Sequence, residues 1–214
     1  MKFNWNDFLK EEEKKDYFKV LNNLINLPNV TPSKDLIFKA MENFNFDDLK
    51  VVIIGQDPYP NLGDADGLCF STNAIKTPAS LKNIFNEIKK DYLDTIIKSN
   101  SLNNWKNQGV LLLNSILTNE VGKTLAHKNL GWEKFNLHFL NKINQIYKNI
   151  IYVVLGKDAY NFISKLDLNN QILLSTSHPS PLGAYRGFIG SHIFKKINDE
   201  LIKLNKQTIN WSTY

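Results

Sequence analysis

Val51-Val52-Ile53-Ile54 is an unbroken run of β-branched residues stopped at once by Gly55, and further short apolar runs follow down the chain. They are Leu68-Cys69-Phe70, Val110-Leu111-Leu112-Leu113, Ile150-Ile151-Tyr152-Val153-Val154-Leu155 and Ile172-Leu173-Leu174. A strand that is apolar at every position, not at alternate ones, must be covered on both faces, as in parallel sheets. Helical periodicity fills the intervals. Ser80 to Ile97 carries Leu81, Ile84, Phe85, Ile88, Tyr92, Leu93 and Ile96, and Trp132 to Tyr147 carries Phe135, Phe139, Leu140, Ile143 and Ile146. Buried strands alternating with amphipathic helices predict an α/β fold, three layers α/β/α around a central, mostly parallel four-stranded sheet.

Further helices are expected over Asp7–Leu27, ended by Pro28, over about Ser33–Phe44, and over about Phe188–Leu204. No repeat, low-complexity tract or linker interrupts the chain, so one domain spanning 1–214 is expected. No apolar run approaches the roughly 20 residues of a membrane span. The first ten residues lack the apolar stretch of a secretory signal, which points to a cytoplasmic location. Cys69 stands alone, so neither an intramolecular disulfide nor a thiolate metal cluster can form, and it reads as a small apolar residue in a strand. The net charge of +5 leans toward a polyanionic partner, although 25 of the 26 basic residues are lysines and Arg186 is the single arginine. Biased codon usage would give the same lysine-rich surface.

Ligands of parallel α/β folds bind where strands end. The strand ends here read Gly55-Gln56-Asp57-Pro58-Tyr59-Pro60, Ser71, Asn114, Gly156-Lys157 and Ser177-His178-Pro179-Ser180. Two prolines and a glycine stiffen the first of these loops around an acid and an aromatic, as a preorganised site would need; an ordinary Asp-Pro turn has the same letters. In His178-Pro179-Ser180-Pro181-Leu182-Gly183 the alternating prolines forbid helix and central strand alike. Leu182 therefore rides a rigid exposed loop, where an apolar side chain can act as a wedge between bases or fold back on the core. His127, His138 and His192 read as structural.

Gly55-Gln56-Asp57-Pro58-Tyr59, Gly67-Leu68-Cys69-Phe70-Ser71, Leu111-Leu112-Leu113-Asn114 and His178-Pro179-Ser180-Pro181-Leu182 resemble, in order and spacing, the signatures of the family-1 uracil-DNA glycosylases. Gly109-Val110, Leu117-Thr118, Gly131-Trp132-Glu133 and Tyr185-Arg186-Gly187-Phe188 match as well, and the resemblance runs from about Trp5 to Trp211.

That resemblance implies a hydrolase that flips uracil out of single- or double-stranded DNA and cleaves its bond to deoxyribose, with no metal or organic cofactor. Asp57 and His178 become the catalytic pair: Asp57 stabilises an oxocarbenium-like sugar and orients water, while a neutral His178 donates to uracil O2. Phe70 stacks on the base, Asn114 reads N3–H and O4, Tyr59 excludes a C5 methyl group, and Gln56 lines the pocket. Leu182 fills the vacated stack. Pro78, Ser80, Lys157, Ser180 and Arg186 are the expected DNA contacts. A monomer is expected, and so is inhibition by a DNA-mimicking protein.

Four positions depart from the family pattern. Pro60 and Asp66 stand where histidine is usual, Gly183 where serine is usual, and Lys157 where serine follows the glycine. All four are expected near the DNA backbone or the mouth of the pocket. A glycosylase fold kept for DNA binding with weak catalysis is the main rival, and a small α/β nucleotidase or nucleosidase the second. The joint presence of Asp57, Tyr59, Phe70, Asn114 and His178 argues against both.

Overall fold

The computed structural model describes residues 2–214. The chain runs α1 (Trp5–Glu12), α2 (Asp16–Ile25), β1 (Val30–Thr31), β2 (Val51–Gly55), α3 (Ala79–Asp91), α4 (Asn103–Lys106), β3 (Val110–Asn114), β4 (Asn119–Glu120), α5 (Trp132–Ile146), β5 (Ile151–Leu155), α6 (Lys157–Ile163), β6 (Ile172–Thr176) and α7 (Ile193–Lys203). Four strands form one parallel sheet in the order β3-β2-β5-β6, with helices on its faces. The other two, β1 and β4, make a separate antiparallel pair. Every residue of β2, β3 and β5 is buried, as their apolar runs require. Strand β6 differs: it is the sheet edge, and Leu173 is 42% exposed, so its apolar run is covered on one side only.

The register places the carboxyl ends together. Gly55 pairs with Asn114 at the last position of β2 and β3, and Leu155 pairs with Thr176 at the last position of β5 and β6. Chain segments leaving those four ends therefore meet above one edge of the sheet.

Five expected elements take another form. The first helix is two, α1 and α2, separated by Glu13, Lys14 and Lys15. On one continuous helix Phe8 and Phe18 would point about 80° apart. The break lets both rings pack on Phe135 of α5, with centroids at 5.6 and 5.9 Å. The stretch Ser33–Phe44 holds one 3-10 turn, Lys34–Leu36, followed by looser turns. Lys106 Nζ takes the carbonyls of Lys39 and Glu42 at 2.6 and 2.8 Å, drawing them away from an α-helical ladder.

Leu68-Cys69-Phe70 is a turn, not a strand. Phe70 has φ 62°, and Cys69 lies on the sheet, its N–H on Leu112 O and its thiol on Ile53 O. Burial pushes that thiol well above its usual pKa, which keeps it a neutral packing group. The last helix begins at Ile193, because Gly190 and His192 are left-handed and give their N–H groups to the buried Glu87 of α3. Likewise α3 stops at Asp91, ahead of the expected Ile97.

Candidate active site

The loop Gln56–Pro60 leaves β2 and is held from below by the chain that leaves β3. The N–H groups of Ser115 and Ile116 donate to Gly55 O and Gln56 O, each at 3.0 Å, and Ser115 Oγ adds a third bond to Gln56 O. Gly55 is required by packing: a Cβ there would run into the Asn114 carboxamide and Cys69 Cβ. Asn114 is held through its backbone, whose carbonyl accepts from Asn136 Nδ2 at 3.0 Å. Its side-chain amide bonds to no other described residue, so both its donor and its acceptor are free to meet a ligand.

Asp57 is fixed through one oxygen. Oδ2 accepts from Asn119 Nδ2 at 2.6 Å and from the Leu125 N–H at 2.9 Å. Asn119 is fully buried in β4 and also donates to Pro58 O at 3.1 Å, which ties the acid to its own loop. Neither Asn119 nor Leu125 was among the expected site residues. The only sequence signal was that Asn119 follows the matched Leu117-Thr118.

Tyr59 is clamped at both ends: its hydroxyl donates to Phe70 O at 3.2 Å, and its carbonyl accepts from Thr31 Oγ1 at 3.3 Å. Burial raises the hydroxyl pKa well beyond its ordinary value, so the group stays a neutral donor. The rings of Phe70 and His178 lie with their centroids 6.0 Å apart, tilted by 44°.

The segment after β6 is bound mostly to itself. The Ser180 N–H donates to His178 Nδ1 at 3.0 Å, the N–H groups of Gly183 and Ala184 donate to Ser180 O, and Ser177 Oγ donates to Gly183 O. Because Nδ1 accepts a backbone proton, the neutral imidazole must carry its own proton on Nε2. Burial holds the His178 pKa below its ordinary value, against the pull of the Asp158 and Asp57 carboxylates, so the neutral form is favoured.

Gln56, Asp57, Tyr59, Phe70, Ser80, Asn114 and His178 all line one cavity of about 170 Å³. That is smaller than the roughly 300–1,000 Å³ of drug-sized pockets and suits one small ring. Pro60, Gly67, Ser71 and Thr124 are among the other residues of its wall. Lys157 and Ser180 lie outside it and line an adjoining hollow that shares Gln56 and His178. Pro78 caps α3 two residues before Ser80, and Leu182 and Arg186 are exposed on the outer loop, Leu182 at 87%.

One of the four departures, Asp66, is not where it was expected. Asp66 is 1% exposed and bonded to Ser71 and Leu68, a carboxylate inside the protein and not at a DNA-facing rim. Gly183 is half-buried under His178; a Cβ there would stand 2.6 Å from His178 O, so the glycine lets the loop close tightly. Pro60 does line the mouth, and Lys157 is exposed at the start of α6.

The histidines read as structural lie elsewhere, His127 on Thr118, His138 on Glu12 and His192 on Asp91. Among the described residues no three His, Cys, Asp or Glu side chains converge as a metal site would need, and no helix is long and apolar enough to cross a membrane.

Residues 41–202, well over half of the chain, match the family model of the uracil DNA glycosylase superfamily. The chain belongs to the uracil-DNA glycosylase superfamily. It is 43% identical to the uracil-DNA glycosylase of Mycoplasmopsis pulmonis, over 97% of this chain and 96% of that protein. The uracil-DNA glycosylase of Aliarcobacter butzleri is 42% identical over 97% and 99%. Among solved structures, the crystal structure of mimivirus uracil-DNA glycosylase superposes with TM-score 0.89 at 28% identity, over 98% of this chain and 86% of that one. A variant of the mimivirus protein in complex with UGI superposes at 0.90, over 100% and 89%. The fold shared with the mimivirus protein is thus the α/β/α sandwich described above.

Proposed function

We propose that this chain is a monofunctional uracil-DNA glycosylase of the family-1 type, which hydrolyses the N-glycosidic bond of uracil in DNA and opens base excision repair. The observation that carries the residue assignment is convergence: an acid, a Nε2-protonated histidine, an unengaged carboxamide and an aromatic ring all border one cavity sized for a single base.

In this reading the nucleotide is extruded from the stack, at a cost of a few kcal/mol, and uracil enters the cavity. Phe70 stacks on it. Asn114 accepts from N3–H and donates to O4, the edge on which uracil and cytosine differ. Tyr59 fills the space that a C5 methyl group would need. The C1′–N1 bond then breaks with its electron pair going to the base. His178 Nε2–H meets the negative charge growing on O2, and the ionised Asp57 faces the positive charge growing on the sugar. Water adds to C1′ and gives up a proton, which neutralises the departing uracil anion, leaving the abasic site and free uracil.

Outside the cavity, Leu182 fills the gap in the stack, and Pro78, Ser80, Lys157, Ser180 and Arg186 meet the backbone. The 214 residues act as one domain and as a monomer in the cytoplasm. By extension from the mimivirus protein solved with UGI, a DNA-mimicking inhibitor is a fitting protein partner.

The test is release of free uracil from a single-stranded oligonucleotide in EDTA. Release is expected. Binding without release would favour the weak DNA-binding reading, and neither binding nor release would remove DNA as the substrate.

A further inference from the structure

Phe70 holds a backbone conformation that a bulky residue rarely adopts, φ 62°, inside a turn closed only by a long bond from the Ser71 N–H to Leu68 O at 3.3 Å. Something outside the turn must hold it. Leu68, two residues before Phe70, and Ser71, the one after it, are both bonded to one carboxylate: Asp66 Oδ1 accepts from the Leu68 N–H at 3.1 Å, and Asp66 Oδ2 accepts from Ser71 Oγ at 2.6 Å. Ser71 Oγ accepts in turn from the Leu102 N–H at 2.9 Å, which fastens the clamp to the segment entering α4. Lys39 Nζ approaches Oδ2 at 3.4 Å and supplies the countercharge.

We propose that Asp66 is a positioning residue for base binding: its carboxylate straddles Phe70 and holds the ring against the uracil cavity. The same clamp reaches Tyr59, whose hydroxyl rests on Phe70 O. A buried carboxylate is costly to keep, and here it is kept with three donors on two oxygens, so the turn cannot relax without stranding a charge. Asp66 touches neither base nor sugar, and it acts through Phe70. The proposal rests on Phe70 being the stacking platform.

Four variants separate the possibilities: Asp66→Ala, Asp66→Asn, Ser71→Ala and Phe70→Ala. Each is measured for inhibition by free uracil, for single-turnover uracil release, and for affinity toward a duplex carrying a stable abasic analogue, at a temperature where circular dichroism shows it folded. Asp66→Ala is expected to weaken uracil inhibition and slow release by about tenfold to a hundredfold, the scale of a misplaced site group. Affinity for the abasic duplex should stay within about twofold, because an empty pocket needs no platform. Asp66→Asn, which keeps an acceptor for Leu68, should recover most of the loss.

If Asp66→Ala does not fold, Ser71→Ala removes one arm of the clamp and should weaken uracil inhibition by about twofold to tenfold. Unchanged uracil inhibition in folded Asp66→Ala, or in Ser71→Ala where that variant carries the test, overturns the proposal. Equal losses for free uracil and the abasic duplex overturn it too, as general damage. Unchanged uracil inhibition in Phe70→Ala would instead overturn the platform reading itself.

Discussion

Asn119 donates its side-chain N–H to Asp57 Oδ2 at 2.6 Å and holds one carboxylate oxygen still, while Oδ1 bonds to no other described residue. The free oxygen is then the one able to meet water or sugar. Removing a hydrogen bond to a charged group costs about 1.5–3 kcal/mol, so Asn119→Ala should slow single-turnover uracil release by about tenfold to a hundredfold. Asp57→Asn should slow it by at least about a hundredfold with binding of uracil-DNA retained. Wild-type release in Asp57→Asn would remove that residue from the chemistry, and in Asn119→Ala would show that the bond does not orient it.

Tyr59 is held at its hydroxyl by Phe70 O and at its carbonyl by Thr31, so the ring cannot swing away from a larger base. Tyr59→Ala should open that wall and permit slow release of thymine, measured with a T-containing oligonucleotide. An active variant that still spares thymine would move the gate elsewhere. Asn114→Asp exchanges a donor for an acceptor. It should depress uracil release, and assaying it on cytosine as well tests the edge-reading role on its own.

The pH dependence has a definite sign. Burial puts the His178 pKa below its ordinary 6.5, opposed first by Asp158 and then by Asp57. If the neutral ring is the working form, single-turnover release should be flat above that pH and fall on the acid side with a midpoint below it. Asp158→Asn removes a charge that favours the imidazolium, so it should push the midpoint lower still. Stability follows the same direction. The unfolded imidazole binds its proton more readily than the folded one, so the native state weakens as pH drops below 6.5, until the folded pKa is passed. An acid limb that stays put in Asp158→Asn belongs to another group.

Lys157 is exposed at the head of α6, beside the hollow that also takes in Ser180 and His178. If it neutralises a phosphate, Lys157→Ser should lower affinity for an abasic-analogue duplex at low salt and reduce the slope of log affinity against log salt by about one. The release rate at saturating enzyme should be unchanged. An identical salt slope would leave Lys157 as a solvated cation.

What could be read without coordinates was whatever depends on order along the chain. The aliphatic runs at 51–54, 110–113 and 151–155 are buried parallel strands, and the residues expected to form the pocket do meet at their ends. What could not be read depends on partners distant in sequence. Leu68-Cys69-Phe70 has strand-like letters, yet Asp66 and the underlying Leu112 carbonyl bend it into a turn. Asp66 was expected near the rim as a replacement for the histidine of the family pattern, and only the fold brings it to Lys39 and Ser71. Asn119 carried no signal beyond its place after Leu117-Thr118, since its role exists only once β4 lies beside the Asp57 loop.

The bonds from α3 to the loop that carries His178 and Leu182 have a mechanical consequence. Asn83 Nδ2 donates to Pro179 O at 2.8 Å, and Glu87 accepts the N–H groups of Gly190 and His192 at 2.9 Å each. Ser80, a turn earlier on the same helix, and Ser180, on the far loop, are thereby members of one stiff frame though a hundred residues apart. If both bear on phosphates, as proposed, the spacing between those phosphates is dictated by the protein, and the compliance must come from the polynucleotide. Sequences that kink readily, or strands already single, should then be accommodated at least cost.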